Sequence, residues 1–591
     1  TYLHPATGSS SSLDLTVCSP DIFLDFSWNV DQDSHGSDHF PTFIRENEPC
    51  AQDNSRKWKL HKADWNLFQY LCEQSITQDL FTNCADPTAL FTQLIYDSAE
   101  KSIPRTSGKP GKTPKPWFTD ECKSAIEDRK KALAKLRLRA TADNISGFKI
   151  MRAKARRTIK LSKHKSWRDY VSKLNSSTSI KKTWDMIRKI SGKHGSSPIK
   201  QLKTKNETAE TKADIANLLA DTFSGKSSSE NSSPEFRQFK NQQEKKKLNF
   251  KSDNKESYNK QFTLKELNNS FKKAHDTAVG PDDIHYQMLK HLPQNCLSIL
   301  LNIFNQVWET GDFPQSWREA IVIPIPKPGK DNSDPSNYRP IALTSCICKT
   351  MERMVNDRLV WFLESNNLIA NVQCGFRRNR GTIDHLIRFE TFIREAFIKK
   401  EHAVCVFFDL ESAYDTTWKY GIMKDLHEFG IRGKLAYFIS AFMDDRQFRV
   451  RVGSTKSDLH DQEMGVPQGS ILSVTLFGIK INNIIKSINP GVECSLYVDD
   501  FVICFRSKHM HTIERQLQQV LNKLEVWSNQ NGFKFSKSKT KCMHFSQLRN
   551  DHSTPELKLG GTRIEVVPQF KFLGLIFDSK LTFIPHINYL F

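Results

Sequence analysis

Two stretches of this chain carry acids where buried strand is expected. In CSLYVDDFVICF, residues 494–505, Asp499 and Asp500 stand side by side between runs of strand-forming residues. The pattern predicts a β-hairpin with the acid pair at its tip, although Asp-Asp is also ordinary turn chemistry. A third acid would decide between the two readings. AVCVFFDLESAYD, starting at Ala403, runs six apolar residues into Asp409, as a buried strand ending at a polar site would. Three strand-associated carboxylates suit a pair of hard divalent ions about 3.5 to 4 Å apart. In an in-line phosphoryl displacement such a pair activates an attacking hydroxyl and stabilises the leaving oxygen. Sequence spacing alone does not bring Asp409 to the other two.

The rest of the chain must position these acids. It has 591 residues, 38% hydrophobic and 26% charged, the composition of a globular protein of several domains. A net charge of +20 favours a polyanionic partner. No apolar run approaches the roughly 18 to 20 residues of a membrane span, which argues against a membrane partner. The 13 cysteines contain no C-x-x-C, so neither a zinc site nor a disulfide framework is suggested, and a reducing compartment is expected. The start at Thr1 and the absence of a signal peptide read as a piece of something longer.

Positive charge is concentrated between Glu121 and Lys193, with 22 Lys plus Arg against 6 Asp plus Glu. Within it, GFKIMRAKARRTIKLSKHKSWRDY places Phe148, Met151, Ala155 and Ile159 at helical spacing with basic residues on the other faces. That is a basic amphipathic helix, suited to packing one stripe on a neighbour or to contacting nucleic acid. Residues 224–261 are poor in apolar side chains and rich in Ser, Asn, Gln and Lys, which predicts a low-complexity linker. Helical and strand-like patterns then mix to the end, an α+β signature.

FFDLESAYD, GVPQGSILSVTLF and YVDD, in this order, resemble the palm motifs of reverse transcriptases, and of non-LTR retrotransposon polymerases of the jockey type in particular. TAVGPDDIHYQML (277–289), residues 321–359 and QCGFRRNRGTIDHL (373–386) are similar to that family's finger and early palm blocks. NGFKFSKSKTKCMHF (531–545) and FKFLGLIFD (570–578) look like its later palm block and primer grip. The resemblance implies a right-hand polymerase, with fingers and palm at 262–545 and a primer grip with the start of a truncated thumb at 546–591. Asp409, Asp499 and Asp500 would bind two Mg²⁺ ions, for which Mn²⁺ can stand in, and Lys539 would protonate the pyrophosphate leaving group. Lys327 and Arg339 would hold the incoming triphosphate, Tyr414 would gate the sugar's 2′ position, and Gln468 would touch the nascent base pair. In GVPQGS the glycines make a tight lead into a helix, and Gly469 would let substrate approach the backbone closely. Val474 stands where the family often has Pro, beyond these contacts.

At the head, SSLDLTVCSP (11–20) and GSDHFPTFI (36–44) resemble the end of the apurinic-endonuclease-like nuclease that precedes such polymerases. Residues 1–45 would then be the remnant of an α/β-sandwich nuclease, with Asp38 and His39 its active pair and Asp14 an orienting partner. A helical, basic connector is expected at 46–223. No nuclease activity is expected of this chain, because the rest of that domain is not in it. The implied partners are an RNA template, a DNA primer or target, and dNTPs. The implied setting is cytoplasmic assembly on the element's RNA followed by action in the nucleus. Two rivals are a group II intron-type maturase, against which the nuclease-like head speaks, and an inactive nucleic-acid-binding relic.

Overall fold

The computed structural model describes residues 1–4, 7, 9–18, 26–35, 37–46, 56–106, 115–175, 178, 180–191, 199, 201–204, 207–548 and 554–590. Positions 19, 20 and 36 of the two nuclease-like head segments lie outside them. The chain divides into two compact units, Thr1–Lys57 with Thr106–Pro198, and Trp58–Arg105 with Ile199–Phe591.

In the first unit, helices α1 (Asp120–Leu138) and α2 (Ala142–Val171) begin at Thr119 and Thr141, whose hydroxyls accept from Cys122 and Asn144 backbone N–H groups. Leu133, Leu136 and Phe148 pack with Leu3 and Phe40 from the head in one small core. Phe148 and Ala155 are buried and Met151 and Ile159 half-buried, so the helical stripe read from the sequence is the stripe that packs. In the same unit one guanidinium nitrogen of Arg129 donates to both carboxylate oxygens of Asp33 at 2.9 and 2.7 Å, a buried ion pair.

The second unit is the larger. Helix α3 (Lys212–Ser227) lays Ile215, Leu219 and Phe223 on a sheet built from β1 (Glu319–Pro326), β2 (Tyr338–Leu343) and β4 (Gln447–Val452). There β1 pairs antiparallel with β2 and parallel with β4. A second sheet runs in the order β5 (Glu493–Tyr497), β6 (Asp500–Ser507), β3 (His402–Phe408), β7 (Lys541–Phe545), with Glu565–Val566 at its far edge. Every residue of β3 is buried. Alternation explains this, since Val404, Val406 and Phe408 face the main core while Ala403, Cys405 and Phe407 face a second cluster on the other side of the sheet. The main core includes helix α7 (Met510–Asn531), through Leu517, Leu521 and Leu524. The second holds Phe389 and Ile393, from the helix Thr382–Ile398, and the hairpin Gln569–Phe572/Leu575–Asp578. The architecture is α+β as expected, with β5, β6, β3 and β7 paired antiparallel and Glu565–Val566 added parallel at the edge.

Two expected boundaries are corrected. Residues 58–105 and 199–223 fold with the second unit rather than with the basic helices, since Phe68, Phe91 and Ile95 share the core of Cys296 and Ile299. The expected linker at 224–261 is ordered. Helix α4 (Pro234–Gln243) sends Phe236, 1% exposed, against Trp418 at 5.5 Å, and Phe250 and Tyr258 are buried in the main core. Trp418 Nε1 donates to Glu244 at 2.8 Å, and Tyr420 Oη to the Lys246 carbonyl at 2.7 Å. Composition misled because a segment this poor in apolar residues cannot build its own core, yet it can lend Phe250 and Tyr258 to the main core and Phe236 to a smaller cluster with Trp418 and Met464. Phe236→Ala is expected to destabilise the second unit by roughly 3–5 kcal/mol in denaturant unfolding. An unchanged midpoint would restore the linker reading.

Candidate active site

Strand register brings the acids together. β3 and β6 pair with Phe408 opposite Phe501, so Asp409, which follows β3, and Asp500, which begins β6, emerge at the same edge of the sheet. β5 and β6 close as a hairpin at Tyr497 opposite Asp500, leaving Val498 and Asp499 as a two-residue turn. Val498 has φ +62°, costly for a β-branched residue and of the order of 1–3 kcal/mol, so neighbours must hold it. They do. Leu496 exchanges backbone hydrogen bonds with the loop at Val372 and Cys374, both at 3.1 Å, and Gln373 Oε1 accepts from Val498 N–H at 3.3 Å. A Cβ on Gly375 would lie 2.6 Å from Val498, so this close grip requires glycine.

The carboxylates are reachable by solvent at the rim yet crowded by protein atoms. Burial raises the Asp499 pKa, and the Asp409 charge raises it further against the pull of Arg339. Asp500 is pushed up to about 6, first by burial and then by Asp499 and Asp409. The three acids therefore feel one another. Lys539 Nζ donates to Asp409 Oδ2 at 2.9 Å, while nearby lysines turn elsewhere, Lys537 to the Gly560 carbonyl and Lys541 to Glu565. The segment carrying Lys539 is registered against the site by Ser536 N–H on the Asp409 carbonyl, 2.8 Å.

Among the described residues no group of three or more His, Cys, Asp or Glu side chains is placed to hold a metal ion. The donor chemistry nevertheless fits a hard divalent ion: three carboxylates and no soft ligand, with Asp499 and Asp500 raised first by burial and then by like charge. Such an ion would compete with Lys539 for Asp409.

The other expected residues gather around this edge. Lys327 begins the loop between β1 and β2, with Nζ 3.1 Å from the Ser336 carbonyl. Its pKa is lowered by burial and by the charges of Lys539 and Arg339, which places three cations in one field. Tyr414 is half-buried, stacked on Phe477 at 4.5 Å, and its hydroxyl pKa is raised by burial and then by Asp499. Gln468 Nε2 donates to Asp415 Oδ1 at 2.8 Å.

Gly469 has φ +134°, and a Cβ there would lie 2.3 Å from the Ala342 carbonyl oxygen. The fold itself requires this glycine: it lets β2 approach the turn, with Ala342 N–H on the Gln468 carbonyl at 2.7 Å. The turn leads into helix α6 (Ile471–Asn482) as expected, behind helix α5 (Cys346–Ser365) in the chain.

In the first unit, His39 Nδ1 lies 2.9 Å from Asp14 Oδ2, so Asp14 is the residue that touches the histidine. That hydrogen bond, then one from Thr1, holds the Asp14 carboxyl below its usual range. Asp38 is set instead by its own backbone N–H and accepts from the Ser37 hydroxyl at 3.3 Å.

Sequence reasoning missed three residues. Asp415 lies inside AYD yet was passed over; half-buried and held by Gln468, it has a pKa raised by desolvation. Glu352, fully buried on α5, accepts from the Ser470 hydroxyl and from Ile471 and Leu472 N–H at 2.8 and 3.3 Å, capping α6 from outside its own chain segment. A lone acid on an apolar helical face was its signal. Lys226 lay within the supposed linker.

Residues 325–577 match the family sequence model described as reverse transcriptase (RNA-dependent DNA polymerase). The chain is 31% identical over 333 residues to the RNA-directed DNA polymerase from mobile element jockey of Drosophila melanogaster, covering 55% of this chain and 36% of that protein. It is 29% identical over 315 residues to a probable RNA-directed DNA polymerase from transposon BS of the same species, covering 52% of this chain and 35% of the relative. A Pol polyprotein from the type-1 retrotransposable element R1 of Bradysia coprophila aligns over 100% of this chain and 58% of its own length at 21% identity. The chain thus spans about a third of the length of the first two relatives. An apo telomerase structure from Candida tropicalis gives a TM-score of 0.33 at 14% identity, covering 48% of this chain and 59% of that one, a likeness too slight to bear on function.

Glu352→Ala is expected to lower stability by roughly 2–4 kcal/mol in chemical denaturation, because it strands the buried amides at the head of α6. A change below about 0.5 kcal/mol would show that this cap is dispensable.

Proposed function

We propose that the chain is a jockey-type polymerase of a non-LTR retrotransposon and extends a DNA primer on an RNA template, a reading supported by the reverse transcriptase match over residues 325–577 and by the similarity to the jockey polymerase. The observation that carries this reading is the strand register that delivers Asp409, Asp499 and Asp500 to one sheet edge beside a cluster of phosphate-seeking cations. The primer 3′-hydroxyl oxygen forms a bond to the α-phosphorus of a dNTP while the bond from that phosphorus to the bridging oxygen breaks and pyrophosphate leaves.

The reverse transcriptase family works with divalent metal ions, and here two Mg²⁺, with Mn²⁺ as substitute, would lower the pKa of the attacking hydroxyl and neutralise the leaving group. The three aspartates would hold them. Lys327 and Arg339 neutralise the triphosphate from the finger side, and Lys539, freed from Asp409, supplies a proton to the departing pyrophosphate. Tyr414, fixed by Phe477, presents a rigid ring edge where a 2′-hydroxyl would sit, which favours dNTP over rNTP. Gln468 is oriented by Asp415 toward the nascent pair.

The basic helices of the first unit add salt-dependent affinity for RNA or DNA, with exposed Arg156, Arg157 and Lys160 on α2 among the contributing charges. The head, with His39 held by Asp14, corresponds to the end of an apurinic-endonuclease-like nuclease domain. Among the described residues no helix is long and apolar enough to cross a membrane, and the setting we propose is assembly on element RNA in the cytoplasm and synthesis at nicked nuclear DNA.

Primer extension on an RNA template with dNTPs and Mg²⁺ tests the activity: it should vanish in Asp499→Ala/Asp500→Ala while RNA binding persists. Equal extension by that variant would overturn the metal-ligand reading, and no extension by the parent chain with RNA binding intact would favour the relic. Changing Arg156, Arg157 and Lys160 together to Gln should flatten the slope of log affinity for single-stranded RNA against log salt by about 2. An unchanged slope would remove α2 from the interface.

A further inference from the structure

The C-terminal turn of α3 brings one lysine to the edge of the proposed nucleotide site from far upstream. Lys226 Nζ donates to the Ser336 carbonyl at 3.2 Å, the same oxygen that Lys327 Nζ reaches at 3.1 Å. The two ammonium groups are therefore no farther apart than those two bonds allow. Among the described residues neither lysine makes an ion pair. Asp415 and Asp334 lie in their field, but Asp415 is engaged by Gln468, and Asp334 by the backbone and hydroxyl of Ser336 at 2.8 and 2.7 Å. Burial and the charge of Lys327 lower the Lys226 pKa, as expected of two cations sharing one neutral acceptor. Such a pair is stable when an anion lies between them.

Lys226 is also held in place. Ile215, Leu219 and Phe223 anchor α3 on the sheet whose β1–β2 loop carries Lys327 and Ser336, and the Lys226 ammonium sits 5.7 Å from the Phe223 ring centre. A lysine in the last helical turn is favoured by the helix dipole as well.

We propose that Lys226 is a phosphate-binding residue that clamps the polyphosphate tail of the incoming nucleotide together with Lys327. This rests on the polymerase reading and extends it, because it makes α3, upstream of the matched domain, part of the nucleotide site. The same chemistry could meet a phosphate of the nucleic-acid backbone, and the test separates the two sources.

Binding of inorganic tripolyphosphate to the intact chain, without primer, template or turnover, is measured by calorimetry for the parent, Lys226→Gln and Lys226→Arg. The Gln variant should bind about tenfold more weakly and the Arg variant within about threefold of the parent, all three melting alike. In extension assays Lys226→Gln should raise KM for dNTP about tenfold with KM for primer–template unchanged. Unaltered tripolyphosphate binding in Lys226→Gln would overturn the proposal. So would an effect confined to primer–template affinity, which would place Lys226 on the nucleic-acid backbone. If Arg fails to rescue, the lysine acts only as structure and the proposal falls. A chain that polymerises nothing yet loses tripolyphosphate binding in Lys226→Gln would overturn the polymerase reading while keeping this site.

Discussion

Mutual repulsion among Asp409, Asp499 and Asp500 is the constraint around which the larger unit is built. Asp409, far upstream of the adjacent Asp499 and Asp500, is brought to their sheet edge because β3 is buried on both faces and its register with β6 admits no slip. A one-residue shift would turn Val404 and Val406 out of one core and Cys405 and Phe407 out of the other. Apolar packing thus supplies the force that holds like charges together. The strained Val498 turn, gripped by the loop around Gly375, spends a little more of that stability on aim.

The cationic side of the site depends on a different scaffold. The β1–β2 hairpin carries Lys327 and Arg339, and its other strand touches the Gln468–Gly469 turn through Ala342. Behind that turn stands Glu352, whose carboxylate fixes the start of α6, with buried Arg446 in its field. Arg446 in turn donates to the Phe442 and Trp317 carbonyls at 3.1 and 3.3 Å, so the buried charges are hydrogen-bonded to the frame rather than left loose. A displacement anywhere along this strut would move Gln468 and the loop that carries Lys327 relative to the acids.

What was legible in the sequence was what a local pattern can encode. The apolar run ending at Asp409 and the acid pair between two strand runs both read correctly, because burial and turn chemistry write themselves into adjacent residues. Residues whose reasons are distant did not read. Phe236 and Tyr258 looked like isolated apolar residues in a polar stretch, since the core they complete lies elsewhere in the chain. At Gly469 the atom a Cβ would meet is the Ala342 oxygen, on a strand far from it in the chain. Lys226 had no local signal at all, as only the packing of α3 on the β1–β2 sheet reveals which carbonyl it shares.

The most direct test of the carboxylate account is the thermal unfolding of the chain with and without Mn²⁺, set against a variant carrying Asn at 409, 499 and 500. The account predicts that the variant melts higher than the parent in chelator, because the repulsion is gone, and that Mn²⁺ raises the melting temperature of the parent alone. A variant that melts no higher in chelator, or a Mn²⁺ response equal in both proteins, would contradict it.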